Sequence, residues 1–340
     1  MDEQGQAQTA SGGNGAGLIG VELADLATRL AVAAPGERRG ELGRIRRFRF
    51  ERPPTPAAVI EQVAALVEVL GASAAPGVGV VCWARVDPAR GAIVDARYGP
   101  KWADFPFTER LAARLGVPAH LMSGVNASAR AEALVGAALV GAAGGRSPLL
   151  YVHLGRSVAS AFVIAGEPVL GARYDAGRLG HWQTGLDGPR CVCGAQGHLE
   201  PLVSAQSLVR QAIGVAADDE ATLAAIHRVT RQRAEALTAP QLIALARDGV
   251  RPLHELVGVA LDALAGALAN LIVTLDPAMI LIGGPLAQAD EIVIVWLRER
   301  VAARLAGVVA APLIAAGTLE PTAALLGAIW SQVAWPASAG

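Results

Sequence analysis

Residues Gly180–Glu200 read GHWQTGLDGPRCVCGAQGHLE, and within them His181–His198 gathers two of the chain's three cysteines and two of its six histidines. The array is His181-x9-Cys191-x-Cys193-x4-His198. A lone Cys-x-Cys is an ordinary turn, but two thiolates and two imidazoles together satisfy a tetrahedral zinc ion. Glycines at 188, 194 and 197 let the backbone fold tightly around such an ion. Four protein ligands leave no open position for water, so the metal is expected to be structural rather than catalytic.

Outward from this knuckle the chain alternates strands and helices. Residues 1–16 lack hydrophobic periodicity and are expected to form a disordered tail. LIGVEL and TRLAVAA read as two strands, and IRRFRFE as a third with one wet face. Seven arginines between Arg38 and Arg52 make this part basic, either a solvated face or a surface for a partner or anionic ligand. TPAAVIEQVAALVEVLGA has helical spacing behind a Thr cap, VGVVCWARV reads as a buried strand, FTERLAARLG as a helix and VPAHLM as a strand. After the helix ASARAEALVGAALVG the pattern restarts, with strands LLYVHLG, SAFVIAG and EPVLGARY, the knuckle and a run of helices. AMILIGG and APLIAA then read as late strands around the helix of QADEIVIVWLRERVAARLA, and TAALLGAIWSQVA as the last helix. A pattern of three strands, a helix and further strand-helix units that appears twice implies two similar α/β lobes with a cleft between them. Ligands of such folds bind at the carboxyl ends of the strands.

The chain has 340 residues, 53% of them hydrophobic, enough for a sizeable core. A net charge of -1 supplies no general field for nucleic acid. Cys82 sits in an apolar run and the other two cysteines have a metal explanation, so a disulfide framework is not implied and a reducing cytoplasm fits. The longest apolar stretch, Leu256–Leu275, is interrupted by Asp262 and Asn270. Neither export nor membrane spanning is expected.

From about Leu18 to Ala334 the chain resembles the ROK (repressor, open reading frame, kinase) family of bacterial sugar kinases and sugar-responsive repressors. The family's knuckle runs Gly-His, then Cys-x-Cys-Gly-x-x-Gly-Cys-x-Glu. Here Gly180-His181, Cys191-Val192-Cys193-Gly194, Gly197-His198 and Glu200 stand in those places, with His198 replacing the last cysteine. LDPAMILIGGPL, Leu275–Leu286, is similar to the family's adenosine-side strand and glycine pair, which gives Gly283 and Gly284 the nucleotide-facing positions. The resemblance implies an actin-like, ribonuclease-H-like ATPase fold, usually dimeric, that binds a hexose between its lobes. The expected division is a first lobe over 17–123, joined by a C-terminal helix at 322–336, and a second lobe over 124–321 that carries the knuckle at 181–198.

The catalytic pattern of the family fails in this chain. Its Glu-Asn-Asp-Ala-Asn motif, whose Asp is the base for the sugar hydroxyl, aligns with Met122-Ser123-Gly124-Val125-Asn126, so Gly124 holds the base position. The first phosphate turn, Asp-x-Gly-Gly-Thr, becomes Glu22–Leu26. The second becomes Leu154–Ala159, and a Pro-Gly-Pro turn becomes Trp83-Ala84-Arg85. Four altered phosphotransfer elements argue against ATP as a cofactor. The resemblance places ligand contacts at Ser123, Gly124, Asn126, Arg178, His181 and Glu200. Arg178, standing where the family has a glutamate, is expected to select an anionic sugar or to close the pocket by pairing with Glu200. The reading that follows is a non-catalytic sugar sensor or interaction protein, homodimeric and acting through a protein partner. Only about sixteen residues precede the first strand, too few for a helix-turn-helix, so direct DNA binding is not expected unless an upstream portion is missing. The alternative is an active ATP-dependent hexose or N-acyl-hexosamine kinase.

Overall fold

Leu23 of strand β1 (Ile19–Ala24) stands beside Cys82 of β4 (Val78–Cys82), and Cys82 beside Ser123 of β7 (Ala119–Ser123), in a parallel register that ends all three strands at one edge. On the other side of β1, strands β2 (Arg29–Pro35) and β3 (Leu42–Arg49) complete an antiparallel meander, which makes the sheet order β3-β2-β1-β4-β7. The computed structural model describes residues 18–24, 29–36, 40–72, 75–95, 99–103, 105–136, 147–185 and 188–331. The expected tail at 1–16, Asp25 and Leu26 of the first phosphate turn, and the end of the expected last helix lie outside the described residues.

Helix α1 (Pro56–Leu70) starts where Thr55 accepts the Ala58 amide and Pro56 pre-sets the first turn, and ends at Gly71 in the left-handed region. Its Val59, Ile60, Val63 and Val67 bury against the sheet. Past β4 the chain makes the small ribbon β5 (Val86–Asp87) and β6 (Ala92–Ile93), then α2 (Pro100–Ala103) and α3 (Phe107–Leu115). The expected strand VGVVCWARV therefore stops at Cys82, because Trp83 leaves the sheet for the cleft.

Helix α4 (Gly124–Val135) leads to a second sheet of β8 (Leu149–Leu154), β9 (Val158–Ile164), β10 (Glu167–Pro168), β11 (Met279–Gly283) and β12 (Leu313–Ala316). Its order, β10-β9-β8-β11-β12, repeats the first, with three antiparallel strands followed by two parallel ones. Of EPVLGARY only Glu167–Pro168 is strand. The rest turns into the cleft through Gly171 and Gly177, both at positive φ. Helices α5 (Glu200–Val203), α6 (Ala205–Ala217), α7 (Glu220–Thr230), α8 (Ala239–Arg247), α9 (Arg251–Leu275) and α10 (Ile292–Leu305) pack the outer side of this sheet in one apolar core. Among the described residues α9 is the one helix long and apolar enough to cross a membrane. It lies in that core, against α10, α8 and α6.

Helix α11 (Ala323–Trp330) follows the second sheet but lies on the first, while α4 follows the first and packs on β8 and β9. The two cross between the sheets. Only small residues allow the approach: a Cβ on Gly327 would run into the Ala127 carbonyl, and one on Gly79 into the Ala328 carbonyl. Glu132 of α4, fully buried, accepts the Leu319 amide at 2.8 Å and the Thr318 hydroxyl at 3.2 Å, and so fixes the segment entering α11.

Candidate functional site

The knuckle closes as a short antiparallel ribbon. Gln183 bridges His198, the Leu199 amide donates to the Trp182 carbonyl at 3.0 Å, and the Thr184 amide donates to the Gly197 carbonyl at 2.8 Å. Gly194 and Gly197, both left-handed, turn the two cysteines back onto this ribbon. One ligand atom from each of His181, Cys191, Cys193 and His198 then lies within 4.8 Å of every other. His181 Nδ1 and His198 Nδ1 are 3.3 Å apart, Cys191 Sγ is 3.7 Å from His181 Nδ1, and Cys193 Sγ is 3.3 Å from His198 Nδ1. Metal bonds of about 2.0–2.1 Å to nitrogen and about 2.3 Å to sulfur place tetrahedral ligands roughly 3.3–3.8 Å apart, which these three distances match, so the four side chains could hold a zinc ion. Burial, with the second imidazole and Arg178 adding to it against Glu200, lowers the His181 pKa and keeps the ring neutral, as a ligand requires.

Between the lobes lies a cavity of ≈ 440 Å³ into which the carboxyl edges of β4 and β7 and the start of β9 open. Ser123, Gly124, Asn126, Arg178, His181 and Glu200 all line it. Asn126 is buried and its Oδ1 has no hydrogen-bond partner among the described residues, which leaves a free acceptor at the cavity wall. Of the two alternatives for Arg178, the pair with Glu200 is not formed. Arg178 grips Asp175, with Nε at 2.8 Å and Nη2 at 2.7 Å from Oδ1, and Arg85 of the first lobe approaches the other oxygen at 3.6 Å. Glu200 instead accepts the Val158 amide at 2.9 Å, because Gly180 brings its backbone close beside the glutamate. Arg178 thus has its own counter-charge, which removes the argument for an anionic ligand. Asp175 was missed because it directly follows EPVLGARY, the segment that reads as strand; the Gly171 and Gly177 bracket was the available sign.

Trp83 lies against Gly124, the residue expected at the base position. Cys82 and Ser123 are register partners, so the next residues, Trp83 and Gly124, leave the sheet side by side. A Cβ on Gly124 would lie 2.6 Å from the Trp83 ring. Trp83 Nε1 donates to Glu22 Oε1 at 2.8 Å, and its ring lies against His153 of the second lobe, tilted by 37° with centroids 4.4 Å apart. Behind His153, Glu320 accepts the Tyr151 hydroxyl at 2.7 Å and the Gly284 amide at 3.1 Å. The glycine pair expected to face a nucleotide is therefore packed on protein: Gly283 lies under Tyr151 and Glu320, and Gly284 against Leu154 and His153. An internal carboxylate occupies the Gly284 amide. Glu320 was not legible in the sequence, since it stands far from every motif.

Two expectations follow locally. Gly124→Ala should cost about 1–3 kcal/mol, the ordinary penalty of overpacking, and clearly less in a Trp83→Ala background. Urea melts of the four proteins in the cycle measure this, and an equal cost in both backgrounds would place the ring elsewhere. The second concerns acid. Burial by itself would raise the Glu320 carboxyl, but His153, the Tyr151 hydroxyl and the Gly284 amide outweigh it and hold the carboxyl below the ordinary glutamate value. A depressed folded pKa contributes stability above the unfolded value and loses it as pH falls through the folded one. Glu320→Gln should accordingly be less stable near neutrality and show a flatter acid-side loss in melts taken from pH 7 downwards.

A model of the ROK family matches residues 27–333, and the chain belongs to that family. Over 244 residues it is 29% identical to a glucokinase of Thermotoga maritima, covering 72% of this chain and 74% of that one. The ROK family glucokinase from Streptomyces griseus, solved with glucose and AMPPNP, has a TM-score of 0.75 at 24% identity, covering 92% of this chain and 97% of that one. A ROK family transcriptional regulator, homologous to the E. coli MLC protein, has a TM-score of 0.74 at 18% identity, covering 94% and 79%. Both structural likenesses show the actin-like ATPase fold, and the doubled strand order described above is its basis.

Proposed function

We propose that this chain is a sugar-binding ROK protein that has lost phosphotransfer and works as a sensor or interaction subunit. The observation that carries this reading is the Trp83 ring lying against Gly124, where the family places its base. A carboxylate cannot stand there without displacing the ring, and Glu22 and His153 hold the ring from two sides. Asn126, Ser123, His181 and Glu200 are left as the sugar contacts, with Arg178 and Asp175 as a neutralised pair at the rim. His181 turns Nδ1 to the zinc cluster, which leaves Nε2 for a ligand hydroxyl. We assign zinc a structural role at His181, Cys191, Cys193 and His198, a lobe boundary at Ser123/Gly124, a homodimeric assembly and a cytoplasmic location. Neither a direct DNA contact nor ATP is part of the reading.

A second reading, an ATP-dependent hexose or N-acyl-hexosamine kinase, draws on the kinases among the relatives, the Thermotoga maritima glucokinase among them. Calorimetry separates binding from catalysis. Titration with glucose and with N-acetylglucosamine should release heat that disappears in Asn126→Ala, while AMPPNP should release none with or without sugar. Nucleotide binding that strengthens with sugar would favour the kinase.

A further inference from the structure

The arginines of β3 take no part in the cleft, and they carry the next inference. β3 is an outer strand of the first sheet, and among the described residues it pairs only with β2, so its other edge presents backbone N–H and C=O groups that no described strand meets. Along it run Arg44, Ile45, Arg46, Arg47, Phe48 and Arg49, followed by Arg52. All five arginines are exposed, and none of them has an ion pair among the described residues. The ladder to β2 is regular from Ile45 to Arg49, after a register shift near Pro35.

Alternation sorts these side chains onto two faces. Ile45 pairs with Ala33 and packs with Leu134 and Ile329, so Arg47 and Arg49 share that face. Arg46 pairs with Val32, which packs in the α1 core, so Arg44 and Phe48 share the opposite face. Phe48 remains 38% exposed. On each face the two arginines are two residues apart, about 6.8 Å along a strand. That spacing is within the screening length of about 8 Å at physiological salt, so the guanidinia repel one another and an array of anions with the same spacing relieves the repulsion.

We infer that the open edge of β3 is a docking site for an extended acidic polypeptide that adds as a sixth strand. A strand paired there places every second side chain on the same face as the arginine it meets. The complementary pattern is acidic, apolar, acidic, acidic, apolar, acidic, with the apolar positions meeting Ile45 and Phe48. Because Arg-Ile-Arg-Arg-Phe-Arg has the same charge order read from either end, the match holds for parallel and antiparallel addition alike. The main-chain edge favours a polypeptide over a nucleic acid, which would use the guanidinia but leave the backbone row unmet. A cis-acting role in the sugar cleft is not involved, so this site stands whether or not the cleft binds sugar.

The test is fluorescence anisotropy on the full chain with labelled Glu-Val-Glu-Glu-Val-Glu, flanked by Gly-Ser at each end. Three comparisons accompany it: the permuted Glu-Glu-Val-Val-Glu-Glu, the first peptide with alternate backbone amides methylated, and an oligothymidylate. The permuted and methylated peptides should bind at least about tenfold more weakly, from four mismatched cross-strand pairs or from lost ladder bonds. The double variant Arg46→Glu/Arg47→Glu, exposed on both faces and expected to fold, should weaken the first peptide by about tenfold or more. Absence of binding would mean that the arginines only shield the edge. Equal binding of the permuted or methylated peptide, or tighter binding of the oligothymidylate, would likewise overturn the inference.

Discussion

Cys193→Ser is expected to lower the melting temperature of this protein sharply, although Cys193 is exposed. Without a metal, replacing an exposed thiol by a hydroxyl should change stability by less than about 0.5 kcal/mol. With zinc bound, the same change removes one of four ligands. Small structural zinc sites hold their ion with about 10–16 kcal/mol, comparable to the whole stability of an ordinary domain at roughly 5–15 kcal/mol. The buried Cys191→Ser should behave alike, and so should chelation. The purified protein should contain about one zinc per chain, as one tetrahedral site requires. Metal analysis with no zinc, together with Cys193→Ser melting at the wild-type temperature, would remove the metal from the account.

ATP-dependent phosphorylation of glucose, N-acetylglucosamine or N-acetylmannosamine is expected to fall below ordinary kinase turnover of about 1–100 per second by at least the 10²- to 10⁴-fold, roughly, that a general base contributes. Asp175 is in the cavity, but its carboxylate is taken up by Arg178 and approached by Arg85. Glu200 is committed to the Val158 amide. Restoring the base is instructive because Gly124→Asp alone meets the Trp83 ring and should destabilise without activating. Trp83→Gly with Gly124→Asp should fold better than Gly124→Asp alone, yet remain inactive while Glu320 occupies the Gly284 amide. A coupled assay on the wild type decides the matter: turnover within the ordinary kinase range would establish the second reading and end the first.

Periodicity and composition were sufficient for the main strands and helices, though not for β5, β6 and α2 or for the short extent of β10, because the meanders and α1 are set by local contacts: alternate residues on a strand, a Thr cap, a closing glycine. The clustering of His181, Cys191, Cys193 and His198 was legible for the same reason, since the four lie within eighteen residues. The doubled topology also followed from the sequence, as a repeated pattern of elements. What sequence could not supply were contacts between residues far apart in the chain. Trp83 meets Gly124 and His153 only because β4, β7 and β8 bring their carboxyl ends to one cleft, and Glu320 reaches Gly284 only through the turn that precedes α11. Arg178 was expected either to meet an anionic sugar or to pair with Glu200, because both stand near His181 in the family's pattern. The tertiary structure gave it Asp175 instead, three residues away, since a local ion pair forms without the ordering of a longer reach. Side-chain alternation and short loops are properties of the local chain and can be read directly; which distant groups share a cleft depends on how two sheets and the crossed helices α4 and α11 pack, and that packing exists only in the folded molecule.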